Sequence, residues 1–374
     1  MVPLGLDFHG FITVAADLPP EAAAFFQKTY APFLISAPPD RPQVVITPLG
    51  AAPRPTESGH QMQALYGFWM ADDDGQPTVA FLKQGAVDLL LELGPPLMLR
   101  YRPRPGIHRR INVGLTFALH WLMAHQGGLL LHGALLAREG RGILFAGRRG
   151  FGKTHTTLEL LRRGWDYLAD DKLFLHGGEA RPFLDTILIR DHLLAGRPWL
   201  ARRLPQSGQL LRGLAGRQWL RGWLRTHVPQ RLLPNEDRLL NRGLPTTVAR
   251  LFPEATRLTR KRPVVVALLQ GGSRGGVAEA DPQVVLTRLA LLQRLALAEF
   301  THLEWMLQLH GAAQPPPPET ILADTLAGCA FRIITAPPGG AAEQVGDLLE
   351  TCLESCTLPS PSFANPPGRN SPGS

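Results

Sequence analysis

The sequence predicts an α/β protein with a strand–loop–helix core and a separate, smaller, β-rich region before it. Three observations carry that prediction. LLLHGALLAREGRGILFAG reads as two apolar strands separated by the turn Arg138-Glu139-Gly140-Arg141-Gly142. The glycine-rich stretch GRRGFGKT, Gly147 to Thr154, follows directly. HTTLELLRRG then has helical spacing, with Leu158, Leu160 and Leu161 towards one side and Gly164 as its stop.

A glycine-rich turn between a strand and a helix is a natural anion site, because the first-turn N–H groups are unpaired and the helix dipole favours negative charge there. The stretch fits the P-loop pattern G-x-x-x-x-G-K-[ST] through Gly147, Gly152, Lys153 and Thr154. Gly147, Gly150 and Gly152 allow close backbone wrapping. Lys153 has the reach for the outer phosphates of a nucleotide, and the Thr154 hydroxyl is a candidate Mg²⁺ ligand. The plainer alternative, a Gly-rich turn in an Arg/Gly-rich chain, leaves the Lys-Thr pair unexplained.

In chain order, residues 1–105 read as the β-rich region. FHGFITV, QVVITPL, YGFWMA and TVAFLKQ are strand-like, PPEAAAFFQKTYAPF is a short helix, and PPDRP, PRPTESG and ADDDGQ are breaks. Asp72, Asp73 and Asp74 belong to a solvated turn before Gly75 rather than a metal site. From Ile107 to His125 the spacing turns helical, and His108, His120 and His125 read as packing or surface residues. WDYLADDKLFL supplies the next strand, carrying Asp170 and Asp171. Further on, PVVVALLQGG is a buried strand, and VVLTRLALLQRLALAEFTHLEWMLQL a long amphipathic helix broken near Glu299. AFRIITA is a last strand and AAEQVGDLLETCLESC a last helix. Residues 357–374, rich in Pro, Ser, Asn and Gly, read as a disordered tail.

Composition narrows the classes. The chain has 374 residues and is 44% hydrophobic, as globular proteins are, with no apolar run of the ~18–20 residues that a membrane span needs. The start MVPLGLDFHGF lacks a signal-peptide pattern, so a cytoplasmic location is expected. Cys329, Cys352 and Cys356 are too few for a disulfide framework, and packing is their expected role. The net charge of +8 is mostly arginine. Between Arg190 and Arg262 sixteen Lys/Arg face four acids. There LLRGLAGRQWLRGWLRTH, overlapping the Arg/Trp-rich stretch 199–226, alternates apolar and basic residues. A solvated arginine face over a Trp/Leu contact is favoured over a membrane or phosphate surface. No nucleic-acid-binding signature accompanies the charge, so nucleic acid is not an expected partner.

Three groups stand at fixed distances from Lys153: His132, 21 residues before it, and Asp170 and Asp171, 17 and 18 after it. Singly, each has a plain structural reading, a satisfied core histidine or a solvated strand end. Together with His132-Gly133, GRRGFGKT, Leu158-Glu159-Leu160, Arg163-Gly164 and Ala169-Asp170-Asp171, they resemble the C-terminal catalytic domain of HPr kinase/phosphorylase. That family of bacterial serine kinases has a phosphoenolpyruvate-carboxykinase-like core. The likeness is strong over about residues 128–175, and elsewhere rests on element order. Arg149 stands where the family usually has Ser, His155 where Glu is common, and the family's second signature is not recognisable. A divergent member is therefore the reading.

The resemblance implies a catalytic domain over 106–356 that uses ATP and Mg²⁺ to phosphorylate a serine hydroxyl of an unidentified protein or peptide. A small-molecule kinase and an inactive nucleotide-binding regulatory or scaffold protein are the alternatives. A homo-oligomer is compatible with it. Gly147, Arg148, Arg149, Gly150, Phe151 and Gly152, with Lys153, Thr154 and His155, would contact the nucleotide. Thr154 and Asp171 would hold the metal. Asp170 would take the hydroxyl proton, with His132 orienting it and Lys153 on the transferred phosphate. Adjacent aspartates on one strand point to opposite faces, so distinct roles are expected.

Overall fold

The computed structural model describes residues 1–50, 68–73, 76–83, 86–148, 150–189, 193, 197–204, 244–309, 311–337 and 342–356. Arg149, Asp74, the LLRGLAGRQWLRGWLRTH segment and the tail at 357–374 therefore lie outside the described residues.

The first 101 residues supply eight strands: β1 (Val2–Phe8), β2 (Ile12–Leu18), β3 (Leu34–Ile35), β4 (Val44–Pro48), β5 (Phe68–Asp73), β6 (Gln76–Lys83), β7 (Ala86–Glu92) and β8 (Leu97–Tyr101). They form one sheet in the order β3-β1-β2-β4-β8-β7-β6-β5. Strict alternation shapes β2, where Ile12, Val14, Ala16 and Leu18 are buried. The expected strand FHGFITV is instead a hairpin corner. His9 and Gly10 both take positive φ, and the Asp7 carboxylate accepts from the Gly10 N–H at 2.5 Å. Helices α1 (Pro20–Thr29) and α2 (His108–His125) pack on the sheet in one apolar cluster. Its members include Phe8, Phe26, Leu89, Leu99, Leu115 and Leu119 from this half, and Leu130, Phe174, Phe300 and Leu303 from the second half.

The second half runs β9 (Leu129–His132), β10 (Ala134–Arg138), β11 (Arg141–Gly147), α3 (Lys153–Arg162), β12 (Asp166–Ala169), β13 (Lys172–His176), β14 (Glu179–Pro182) and β15 (Thr186–Ile189). There follow α4 (Pro198–Arg203), β16 (Leu244–Thr247), α5 (Val248–Leu251), β17 (Pro263–Gly271), β18 (Gly276–Glu279) and α6 (Pro282–Ala296). The described chain closes with α7 (Ala298–Leu309), α8 (Pro318–Thr325), β19 (Ala330–Ala336) and α9 (Ala342–Glu354). The central sheet has the order β12-β10-β11-β17-β19-β18, in which β11, β17 and β19 run parallel. A smaller sheet has the order β14-β13-β9, and β15 pairs with β16. One apolar cluster joins α3 and α9 to the central sheet through Leu158, Leu161, Leu349 and Leu353. Another joins it to α6 and α8 through Val285, Leu289, Ile321 and Leu322. The architecture is mixed α/β. No helix among the described residues is long and apolar enough to cross a membrane.

Two expectations need correction. The apolar run before the glycine-rich loop is three strands, not two, because it breaks at Gly133 between β9 and β10, which belong to different sheets. Asp170 and Asp171 are not on a strand. They form the bend where the chain leaves β12 in the central sheet and enters β13 in the smaller one. The long amphipathic helix is divided at Leu297 into α6 and α7, beside the break expected near Glu299.

Candidate functional site

Topology brings the predicted residues together. β11 and β12 both run antiparallel to β10, so the loop after β11, the bend after β12 and the chain entering β10 share one edge of the sheet. At that edge both chain crossings between the two sheets lie side by side. The Gly133 N–H donates to the Asp171 carbonyl at 3.1 Å, and His132 is the register partner of Lys172.

The loop takes the shape its glycines permit. Gly150 has φ +93° and Gly152 φ +82°, a region that side chains disfavour. A Cβ on Gly147 would stand 2.9 Å from the Leu269 carbonyl oxygen on β17, so strand packing itself demands glycine there. Gly152 caps α3, and its carbonyl accepts from the Thr156 N–H at 2.8 Å. No side chain caps that helix end, which leaves first-turn N–H groups available to an anion. Arg148 and Phe151 lie on the exposed part of the loop. The Phe151 ring lies over Gly271, where a Cβ would come within 3.0 Å of it. His155 follows in the first turn of α3, half-buried.

Lys153 is buried, and its Nζ donates to the Gly147 carbonyl at 2.9 Å. Burial lowers its pKa from the ordinary value, while Asp171 and Asp170 act in the opposite sense. The two aspartates have different surroundings. Asp170 is 5% exposed, and its Oδ2 accepts from the Thr154 hydroxyl at 2.8 Å. Its Oδ1 is buried without a hydrogen-bond partner. Burial raises the Asp170 pKa, and the Thr157 and Thr154 hydroxyls and Lys153 offset this only in part. The Asp171 side chain is 63% exposed, and its Oδ1 lies 3.2 Å from Nδ1 of His132, which is 21% exposed. Its partial desolvation acts upward. The His132 hydrogen bond and the charges of His132, Lys172 and Lys153 outweigh it, and the carboxyl sits below its ordinary range.

This donor set suits a small hard divalent cation. A hydroxyl and a desolvated carboxylate oxygen lie within 2.8 Å of each other, and the buried carboxylate lacks a hydrogen-bonded cationic partner. Two protein oxygens are what Mg²⁺ commonly takes, with waters and phosphates completing its shell.

Other motif residues act in the fold. Glu159, buried, accepts from Arg162 and Arg163, and Arg163 continues to Asp347 and Glu350 on α9. The Leu-Glu-Leu and Arg-Gly elements thus pin the loop's helix to α9. Three residues escaped the sequence reading. Thr157 and Tyr167 are buried near Asp170. Gln293 on α6 bonds β9 beside His132. The one available signal was a glutamine on the apolar side of an otherwise leucine-rich helix.

Over 56 residues the chain is 39% identical to HPr kinase/phosphorylase from each of two strains of Limosilactobacillus reuteri. The match covers 15% of this chain and 18% of each relative, a distant and partial relationship. No protein-family model matches the chain.

Proposed function

We propose that the chain is an ATP- and Mg²⁺-dependent phosphotransferase of HPr-kinase type. In this reading residues 106–356 form a phosphoenolpyruvate-carboxykinase-like P-loop domain that passes the γ-phosphoryl group to a serine hydroxyl of a protein or peptide. One observation carries the reading: of two adjacent acids at a glycine-rich loop, one is buried on the Thr154 hydroxyl and the other is exposed beside His132. The partial similarity to HPr kinase/phosphorylase supports the same class.

Phosphoryl transfer needs positioning and charge neutralisation more than covalent help. The N–H groups at the start of α3, with Lys153, bind and orient the phosphates. Lys153 exchanges its Gly147 carbonyl for phosphate oxygen. Thr154 and Asp170 would hold Mg²⁺, which supplies charge neutralisation when bound. Asp171, exposed and hydrogen-bonded to His132, receives the serine proton as the serine Oγ–phosphorus bond forms and the β–γ bridge breaks to release ADP. His132 orients Asp171 and stabilises its ionised form. The geometry supports this division over the one expected from the sequence, where Asp170 was the base and Asp171 the metal ligand. A buried carboxylate bonded to Thr154 is out of a substrate's reach.

The test is phosphate release and transfer from γ-labelled ATP, with water and serine-containing peptides as acceptors. Asp171→Asn is expected to lower kcat by about 10³-fold with ATP affinity retained. Asp170→Asn is expected to abolish the Mg²⁺ dependence of ATP binding. Equal turnover by Asp171→Asn and wild type would sink the base assignment. ATP binding without turnover on any acceptor would leave the nucleotide-binding scaffold reading.

A further inference from the structure

In the smaller sheet β9 is an edge strand, with β13 on one side and, among the described residues, no strand on the other. An edge strand buried in a protein leaves backbone groups that need partners. Here a side chain takes the place of the missing strand. Gln293, 2% exposed on α6, accepts from the His132 N–H at 2.8 Å through Oε1. Through Nε2 it donates to the Leu130 carbonyl at 2.6 Å. Along a strand, alternate residues present their N–H and C=O to the same side. One primary amide therefore spans both groups as a neighbouring backbone would.

The position of this clamp gives it consequence. His132 is the last residue of β9, and the next residue, Gly133, is where the chain crosses to the central sheet. The Gly133 N–H is tied to the Asp171 carbonyl, and the His132 ring to the Asp171 carboxylate. The end of β9 is thus held from both sides, by Gln293 and by the Asp171 bend. Gln293 is itself held by α6, whose Val285, Leu289 and Ala290 pack against the central sheet. A short, buried, two-bond link therefore joins a rigid helix to the backbone carrying the imidazole.

The structure assigns Gln293 as a positioning residue that holds the His132 imidazole on Asp171. This rests on the phosphotransferase reading for its effect on turnover, but not for its effect on the imidazole. A leucine of similar size loses both hydrogen bonds, strands the Leu130 carbonyl and the His132 N–H, and frees the β9 end to shift. Misplacement of a supporting group by a fraction of an ångström to an ångström is enough to impair a proton-transfer site.

The experiment compares wild type with Gln293→Leu and, should that variant fold poorly, Gln293→Met, both checked by thermal melting. The first readout needs no turnover: the ¹⁵N spectrum of the His132 imidazole, assigned with His132→Gln. The variants are expected to lose the hydrogen-bonded Nδ1 signal, and an unchanged spectrum overturns the proposal. The second is a double-mutant cycle on kcat with ATP. Gln293→Leu is expected to lower kcat about ten- to a hundredfold, with KM for ATP within about twofold. In the His132→Gln background the same change is expected to have no further effect. Losses that multiply across the cycle would mean a general structural role, and would overturn it. A wild type without turnover refutes the phosphotransferase reading alone, since the imidazole spectrum still decides the role of Gln293.

Discussion

Asp88, in the eight-stranded sheet, is 3% exposed, and Asp170, at the edge of the central sheet, is 5% exposed, yet the protein treats the two carboxylates differently. Asp88 is gripped by the Arg104 guanidinium through both carboxylate oxygens, with Arg110 Nε 3.7 Å away. The Asp88 hydrogen bonds push the Arg104 pKa further up. Asp170 has a hydroxyl on one oxygen, none on the other, and a lysine occupied with a backbone carbonyl. A buried charge with its countercharge built in belongs to the fold. A buried carboxylate without one is what the proposed Mg²⁺ site would use.

The largest expected effect follows from that contrast. Asp88→Asn strips Arg104 of its counterion and should lower the unfolding free energy by about 3–5 kcal/mol. Asp170→Asn should leave stability unchanged or raise it, because it removes a charge that burial disfavours. Urea unfolding of both variants, free of nucleotide and metal, measures this. A loss at Asp170→Asn as large as at Asp88→Asn would make both acids structural and end the comparison.

Two glycines sharpen it on a smaller scale. Gly114 lies on the face of α2 against the sheet, where a Cβ would come within 2.8 Å of Leu89 and 3.0 Å of Leu99. Gly114→Ala should cost about 1–3 kcal/mol through overpacking. Gly152 has room, with only the His155 Cβ at 3.9 Å. Its φ of +82° makes Gly152→Ala cost about 1–2 kcal/mol through the backbone alone. Thermal melts separate the two causes. A leucine-to-alanine change at Leu89 should relieve the strain of Gly114→Ala, whereas no neighbour of Gly152 can relieve its own.

How much of this was readable in the sequence differs between the halves. The turn at GRRGFGKT was legible because its demands are local: glycines for positive φ, then lysine and threonine at the start of a helix. The distances from Lys153 to His132 and Asp170-Asp171 pointed to convergence, but not to its cause, since neither crossing between sheets has a local signature. Apolar periodicity is the same for a strand that stays in one sheet and for one that ends at Gly133 to join another. The different surroundings of Asp170 and Asp171 were equally hidden. Alternation on a strand separates two neighbours without saying which is buried, and these two are on a bend. In the N-terminal half β7 and β8 went unread, though AVDLLLE and LMLRY are apolar enough. The Arg104 clamp on Asp88 joins side chains 16 residues apart that only the sheet brings together.

The smallest expected effect is in the pH dependence of stability, where Asp170 and Asp171 should act with opposite sign. Burial raises the folded-state pKa of Asp170 above its ordinary value of 3.8. Between the two values the folded protein holds a proton that the unfolded chain has released. Stability from this group is thus fullest below the unfolded value and is lost as pH rises through the folded one. Asp171, held by His132, has a folded pKa below 3.8. Its contribution is present above 3.8 and is lost as pH falls through its lowered value. The Asp171 effect should be the weaker of the two, because its side chain opens to water. Urea midpoints from the acid limb to neutrality, with Asp170→Asn and Asp171→Asn as references, read each group by difference. Wild type should lose ground to Asp170→Asn as pH rises above 3.8 and gain ground on Asp171→Asn as pH rises towards 3.8. Saturating Mg²⁺ with ATP should flatten the first difference by stabilising the ionised Asp170, and leave the second in place. Two curves of the same sign would mean that both carboxylates see one environment, and the division between metal ligand and base would fall with them.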